Sequence, residues 1–391
     1  MFEVVAIAAL AIWIYLLLAR GGFWLAGPRA DSLAGPPPAV SATVVAVVPA
    51  RDEAQVVAHS VGSLLGQNYP VHVVLVDDGS TDGTAARATE AAIRLGAADR
   101  LTIVEGARLP AGWTGKLWAV RQGIEAALRR PGGAPRYLLL TDADIVHSRR
   151  SVASLLARAE KDRLVLCSVM AKLACESFAE RAIVPAFVYF FQMLYPFAWV
   201  ASGRHSTAAA AGGCMLVDTE ALSRIGGIEA IRAALIDDCA LAARLKPVGP
   251  IWLGLSAEVA SIRNYPSFSE LGAMVTRSAY AELRYSPLRL LAATLGMALT
   301  FLAAPVVALL APSAAAFHIA VLAWLLMALS FQPILRFYRL SPLRGLALPA
   351  VALVYMGWTL QSALQYARGR GGIWKGRVQA IGPRASGRSA R

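Results

Sequence analysis

Tyr137-Leu138-Leu139-Leu140-Thr141-Asp142-Ala143-Asp144 is an apolar run followed by two carboxylates one residue apart. An apolar run of that length reads as a buried strand. Side chains alternate along a strand, so Asp142 and Asp144 point the same way if the extended conformation persists through them. Paired hard oxygens at the carboxyl end of an open α/β sheet are where a divalent cation and a diphosphate would sit. The plain alternative is an acidic strand-to-helix turn, with Asp144 or Ser148 capping the helix that follows. Asp-x-Asp alone does not separate the two.

Outward from this stretch the pattern alternates. Thr43–Val48 reads as a strand stopped by Pro49, Glu53–Leu65 as a helix, and Val71–Val76 as a strand running into Asp77-Asp78-Gly79-Ser80-Thr81-Asp82-Gly83-Thr84. Asp82–Leu95 reads as a helix, Leu101–Val104 as a strand and Gly115–Leu128 as a helix. After Tyr137–Thr141 come a helix near Arg149–Glu160 and a strand over Leu164–Val169. Strands alternating with helices of this length predict an α/β fold with a parallel, doubly wound sheet and right-handed crossovers.

The flanks are of another kind. The 391 residues are 57% hydrophobic and only 16% charged, against roughly a quarter charged in soluble domains. Phe2–Ala19 is long enough to span a bilayer and lacks the basic start of a signal peptide, so it reads as an anchor. Arg20 and Arg29 follow it and predict a cytoplasmic domain next. Gly35-Pro36-Pro37-Pro38 reads as a stiff linker. Ala182–Ser202 is rich in aromatics but interrupted by Pro185 and Pro196, and reads as an interfacial helix beside an acceptor entrance. Leu290–Leu310, Phe317–Leu335 and Leu346–Tyr366 are each about span length.

This gives an anchor at 1–20, a linker at 21–42, a catalytic domain at 43–285, membrane helices at 286–367 and a basic tail at 368–391. The expected location is the inner (cytoplasmic) membrane, multi-pass, with the catalytic domain in the cytoplasm. Three full spans after 285 would put the tail and the Arg336, Arg339 and Arg344 cluster on opposite sides, whereas the charge rule wants both inside. One of the three segments is therefore expected to be re-entrant or interfacial. The net charge of +13 is concentrated at the end, where seven basic residues and no acidic one follow Ala367. Such a tail suits anionic headgroups. No nucleic-acid motif accompanies the charge, so no nucleic-acid partner is expected. Cys167, Cys175, Cys214 and Cys239 show no metal or redox spacing and read as small residues in a reducing compartment.

Charged stations fall where the strands end: Pro49-Ala50-Arg51-Asp52-Glu53, Asp77-Asp78, Asp142-Ala143-Asp144 and, far along, Asp237-Asp238. Lys116 adds a cation near a helix start. Each has a bland reading. Asp78–Asp82 could be a turn and cap, Asp237-Asp238 could cap the helix after them, Lys116 could be solvated, and Gly212-Gly213 could be a plain turn. Their common placement at one sheet edge favours a ligand site, because open α/β sheets bind there. His147 reads as structural or exposed before it reads as a metal ligand.

The order of these stations also carries a resemblance. Val47-Val48-Pro49-Ala50-Arg51-Asp52-Glu53-Ala54, the Val76–Thr84 stretch, Asp142-Ala143-Asp144, Gly212-Gly213-Cys214-Met215 and Asp237-Asp238 resemble, in that order, a family 2 glycosyltransferase domain of the GT-A fold. With its apolar flanks, the whole chain is most similar to the hopene-associated membrane glycosyltransferases of bacterial hopanoid gene clusters. Leu109–Lys116, Leu283–Pro287 and Trp374–Arg377 support that, and ceramide and carotenoid glucosyltransferases share much of the pattern.

The resemblance implies that Pro49, Ala50, Glu53, Asp77, Asp78, Lys116 and Asp142 bind the donor, with a UDP-sugar expected. It implies that Asp144 and Asp142 hold Mg²⁺ or Mn²⁺, and that Asp238 is the base. Gly212, Gly213, Asp237, Arg284 and Tyr285 would lie on the acceptor side. Relatives often read Glu-Asp at the last station, where this chain has Asp-Asp. Ala281-Glu282-Leu283-Arg284-Tyr285 lacks the Gln and Trp of the Gln-x-x-Arg-Trp motif of processive relatives, which argues against a polysaccharide synthase. The expected activity is inverting hexosyl transfer to a membrane lipid. Alternatives are a polyprenyl phosphate, sphingolipid or carotenoid acceptor, and, in another class, a degenerate transferase serving as a membrane scaffold.

Overall fold

The computed structural model describes residues 1–29, 42–374 and 377–380. The proline-rich stretch Gly35–Pro38, positions 375 and 376, and the tail from 381 onward lie outside the described residues. In chain order the elements are α1 (Phe2–Ala19), β1 (Val44–Ala50), α2 (Val57–Leu65), β2 (Val71–Asp77), α3 (Thr84–Arg94), β3 (Leu101–Glu105), α4 (Gly115–Leu128), β4 (Tyr137–Thr141), β5 (Ile145–His147), α5 (Ser151–Lys161) and β6 (Leu166–Lys172). Then come α6 (Phe178–Leu194), α7 (Phe197–Ala201), β7 (Cys214–Asp218), α8 (Thr219–Arg224), α9 (Asp237–Leu245), β8 (Ile251–Ser261) and α10 (Phe268–Glu282). The chain continues through α11 (Pro287–Met297), α12 (Ala303–Leu310), α13 (Ala314–Ser330), α14 (Gln332–Phe337), α15 (Leu348–Ala367), β9 (Gly371–Trp374) and β10 (Arg377–Ala380).

Two compact units emerge, and they do not follow chain order. One holds Pro28–Ala174 and Trp199–Arg263, and the other holds Met1–Gly27, Cys175–Ala198 and Asn264–Arg391.

The first unit is a mixed sheet in the order β3-β2-β1-β4-β7-β6-β8-β5. Every residue of β1 and β4 is buried, as expected of strands covered on both faces. One face packs Val44, Ala46, Val48, Leu75 and Leu139 against Val57, Val61 and Leu64 of α2 and Val152, Leu155 and Leu156 of α5. The expected parallel arrangement holds for β3, β2, β1 and β4. It fails at β7, which runs antiparallel to both β4 and β6. The reason is local: Thr141 pairs with Cys214, so β7 starts where β4 ends and has to run back. Pro49 does not stop β1 as expected. It lies beyond Val47↔Leu140, where pairing with β4 has ended, so its missing N–H costs no ladder bond on that side.

α4 lies close on the sheet because it has a glycine at the contact. A Cβ on Gly123 would stand 2.4 Å from Val47 Cγ1 and 2.9 Å from Val76 Cγ2. Gly123→Ala is expected to destabilise the unit by about 1–3 kcal/mol through overpacking. Thermal unfolding of the purified variant checks this; an unchanged melting temperature would mean that α4 moves freely off the strands.

The second unit gathers the apolar helices. Ala6, Val307, Ala316 and Ala320 form a small-residue seam between α1, α12 and α13, of the kind that lets apolar helices approach closely. Among the described residues four segments are long and apolar enough to cross a membrane: Phe2–Ala19, Pro287–Leu310, Ala314–Phe337 and Pro342–Ala367. α6, the aromatic segment, belongs to this unit. Its start is fixed by a capping box in which Ser177 Oγ accepts from Glu180 N and Glu180 accepts from Ser177 N.

Candidate active site

At the carboxyl ends of β1 and β2 two loops are laced together. Asp52 N donates to Ser80 Oγ (2.9 Å), Glu53 N to Thr84 Oγ1 (2.8 Å) and Ala54 N to Asp82 Oδ2 (2.9 Å). Thr81 N donates back to Asp52 Oδ1 (2.9 Å), and Asp77 Oδ1 accepts from Ser80 N (2.8 Å). Asp52 takes a left-handed backbone (φ 51°) to make this turn, an uncommon conformation for a non-glycine residue. Asp78 is buried, with Arg51 Nη1 3.6 Å from its Oδ2. Asp77 and Asp78 therefore brace the rim. They share the sheet edge with Asp142, two strands over.

The centre of the edge is a charge network on Lys116. Thr114 caps α4, its Oγ1 accepting from Leu117 N, which puts Lys116 in the first helical turn. A cation there opposes the helix dipole, so it needs another source of stabilisation. The carboxylates supply it: Lys116 Nζ is 2.9 Å from Asp142 Oδ1 and 3.1 Å from Asp237 Oδ2. Burial alone would lower the Lys116 pKa, but Asp142 and Asp237 outweigh it and hold the ammonium charged.

Asp237 and Asp238 open α9, where the dipole favours acids. Asp238 Oδ2 accepts from Gly212 N (2.8 Å) and Oδ1 from Cys239 N (2.7 Å). Gly212 lets the turn come close to the network: a Cβ would stand 3.2 Å from Lys116 Nζ, a tight contact, and 3.4 Å from Asp238 Oδ2. Burial and the Asp237 charge push the Asp238 carboxyl up to about 6, against the pull of Lys116. Asp142 is likewise raised, by burial first and by Asp144 in addition, with Lys116 opposing.

A second cation, Arg263, was not expected from the sequence. It lies two residues past the end of β8, and its Nη2 lies 2.6 Å and 2.7 Å from the two Glu53 carboxylate oxygens. Its Nε donates to Asp144 Oδ2 (2.9 Å), which also accepts from Ser261 Oγ (3.2 Å). The apolar run Ile251–Leu255, read as a strand, would have pointed to the residues after it. His147 is structural, in line with its reading: it is buried, with Nε2 3.0 Å from Thr141 Oγ1, which donates to Gly213 O (2.7 Å). Burial drives its pKa down to about 4, so the ring is neutral at physiological pH.

Asp142, Asp144, Lys116, Glu53, Gly212, Asp237 and Asp238 thus meet at one edge, with Pro49 lining a cavity of about 10 Å³ between Lys116, Asp142 and Asp237. Ala50 lies next along β1, buried, its carbonyl accepting from Asp78 N. Gly213 holds the turn into β7. Arg284 and Tyr285 belong to the other unit, where they end α10 in left-handed conformations (φ 51° and 54°) and Tyr285 stacks on Tyr366 at 4.3 Å.

Among the described residues no group of three or more His, Cys, Asp or Glu side chains is arranged to hold a metal ion. Asp142 and Asp144 nevertheless fit one of a particular kind. Lys116 engages Oδ1 of Asp142, and Arg263 and Ser261 engage Oδ2 of Asp144. Each carboxylate keeps a second hard oxygen. Mg²⁺-type ions are commonly held by one or two carboxylates, with water and substrate phosphates completing the shell.

Residues 45–226 match the family model described as Glycosyl transferase family 2. Comparison with curated proteins gives no match. Among solved structures, the chain is similar to a mannosyltransferase from Pyrobaculum calidifontis in complex with GDP-Man and Mn²⁺, at 20% identity and TM-score 0.53, covering 93% of this chain and 98% of that one. A glucosyl-3-phosphoglycerate synthase from Mycobacterium tuberculosis with Mg²⁺ and UDP aligns over 66% of this chain and 83% of its own, at 16% identity and TM-score 0.41. The mannosyltransferase match extends across the mixed sheet and the apolar helices alike and shows a shared GT-A fold.

Proposed function

Taking the chain as a glycosyltransferase carrying a family 2 domain, we propose that it transfers a sugar from a nucleotide-sugar donor to a membrane lipid, with inversion and with the help of a divalent cation. The observation that carries this reading is the single network on Lys116. It joins Asp142, the diphosphate-side carboxylate, to Asp237, whose neighbour Asp238 is the basic group. Leaving group and base are thereby held within one site.

The acceptor hydroxyl is a weak nucleophile until its proton is taken. Asp238 suits that task, because a carboxylate raised toward neutrality is a better base than a free one. The Gly212 N–H and the Cys239 N–H orient it. Lys116 places a fixed positive charge beside the donor-side carboxylate, where negative charge grows as the diphosphate departs. When bound, Mg²⁺ or Mn²⁺ would be held by Asp144 and Asp142 and would neutralise the leaving diphosphate. Arg263 would steady Asp144 through its Nε. One displacement, with base and leaving group on opposite faces of the sugar, inverts the anomeric carbon and needs no carboxylate nucleophile.

The fold-sharing mannosyltransferase is in complex with GDP-Man and Mn²⁺, which supports a nucleotide sugar and a divalent ion here. The four apolar segments support a lipid acceptor, and the resemblance to hopene-associated enzymes favours a hopanoid. Gly212, Gly213, Asp237, Arg284 and Tyr285 are proposed for the acceptor side. Lipid extracts of a host with and without the gene test this: a glycosylated lipid should vanish on deletion and return with the intact chain. An unchanged lipid profile in both would contradict a lipid acceptor.

A pH profile follows from Asp238. The base works only when ionised, so the transfer rate should fall as pH drops through about 6 and level off above it. A flat profile between pH 5 and 8 for a hydroxyl acceptor would remove Asp238 from this role.

A further inference from the structure

α15 is long and apolar enough to cross a bilayer, yet its neighbours do not permit it. α15 and α10 run side by side in the same direction. A Cβ on Gly272 would meet Trp358, Ser362 Oγ donates to Thr276 O, Tyr280 N donates to Ser362 Oγ (3.1 Å), and the Tyr280 and Tyr366 rings lie 5.5 Å apart. These contacts advance four residues at a time on both helices, so the second half of α15, 358–367, is level with most of α10. α10 carries Glu270, Arg277 and Glu282 and is followed by Arg284. Charged side chains cost about 2.5–3.5 kcal/mol each at the bilayer centre, which keeps α10 out of the hydrocarbon. The part of α15 beside it is kept out as well. What remains, 348–357, is about 15 Å of helix against a hydrocarbon core of about 30 Å.

The start of α15 lies on the same side as the Arg20 end of α1. α6 crosses the ends of the apolar helices: Arg20 Nε donates to Met193 O (3.2 Å), and Tyr189 pairs with Ser330 Oγ at the end of α13 (2.6 Å). The same helix receives Arg344 Nη1 at Arg181 O (3.1 Å) and the Tyr355 hydroxyl at Ile183 O (3.1 Å). The opposite end of the bundle is marked by Glu3, 3.0 Å from Ser313 Oγ. That end has no Lys or Arg in 1–3 or 311–313, while Arg20, Arg336, Arg339 and Arg344 all fall at the other.

We propose that α15 lies in the plane of the cytoplasmic leaflet and that the described chain crosses the membrane three times: through α1, through the 287–310 segment and through α13. Leu353, Leu360 and Leu364, each about half exposed (56%, 46% and 49%), form the stripe facing away from α10 and dip to the boundary between headgroups and acyl chains. The basic residues after Ala367 then share a side with Arg336, Arg339 and Arg344, and the conflict in the charge rule disappears. The proposal rests on the membrane-anchored reading and is independent of which sugar or acceptor is used.

Cysteine labelling of the full chain in spheroplasts tests it, with the unsubstituted chain as the background for its native thiols. Ala311→Cys should react with an impermeant maleimide in intact spheroplasts, and Ser389→Cys only after permeabilisation. Labelling of Ser389→Cys in intact spheroplasts, with Ala311→Cys also labelled, would make α15 a span and overturn the proposal. Protection of Ala311→Cys until permeabilisation would overturn the bundle's orientation and the proposal with it. Neither variant touches the Lys116 network, so failure here is separable from failure of the transferase reading.

Discussion

Asp238→Asn is expected to lower kcat for transfer to a hydroxyl acceptor by about 10²–10⁴-fold, the usual contribution of a positioned general base. The amide keeps the size of the carboxylate and can still accept from Gly212 N, which holds the turn at Gly212-Gly213, while the bond from Cys239 N is lost; a melting curve checks that the fold is kept. The KM for the donor should change little, which separates loss of a base from loss of a binding group. Rates with a fixed lipid acceptor, compared in membranes carrying equal amounts of each chain, measure this. A variant as fast as the wild type would remove Asp238 from proton transfer. Equal rates on an anionic phosphate acceptor alone would mean that the nucleophile arrives already ionised, as the polyprenyl phosphate alternative requires.

Asp144→Ala is expected to weaken metal-dependent donor binding by at least about 100-fold, since loss of groups that merely support metal ligands already costs 10–100-fold. The fold should survive. Arg263 keeps its two bonds to Glu53, and Asp144 stands at the strand end outside the main hydrophobic cluster. Calorimetry with UDP- and GDP-sugars, with and without Mn²⁺, gives the readout, and a melting curve checks folding. Unchanged metal-dependent binding would return Asp142-Ala143-Asp144 to a plain turn. No metal-dependent binding by the wild type would favour the scaffold alternative.

The parts of this site that were legible in the sequence are those whose residues stand next to a fully buried strand. Tyr137–Thr141 is β4 to the residue, and β1 and β2 were found within two residues, because unbroken apolar runs are unambiguous when both faces are covered. Their ends carry Glu53, Asp77, Asp78, Asp142 and Asp144. Lys116 was legible as a cation at a helix start, but its partners were not: Asp142 and Asp237 are far apart in the chain and meet only through the fold.

The rest of the site depends on strands that no local pattern marks. β5 has three residues, too few for any period to show, and β7 has five and follows a glycine pair that reads as a turn. β8 runs parallel to β6, as a doubly wound sheet allows, but Gly254 breaks its apolar run after three residues, and Arg263 goes unread with it. Arg51 stands within a legible motif, but its hold on Asp78 depends on the left-handed turn at Asp52, which no local pattern announces. In the apolar unit, length and composition made Leu346–Tyr366 look like the spans before it. Only its pairing with the charged helix α10 sets it apart.

The central claim is that the Lys116 network with Asp142, Asp144 and Asp238 transfers sugar from a nucleotide to a lipid. It is tested most directly by incubating membranes bearing the chain with radiolabelled nucleotide sugars and counting label in the organic extract. The account predicts lipid-extractable label with Mn²⁺ or Mg²⁺ that falls to background on chelation and in Asp238→Asn membranes. Label that enters lipid equally with the chelator present, or equally with Asp238→Asn, would contradict it.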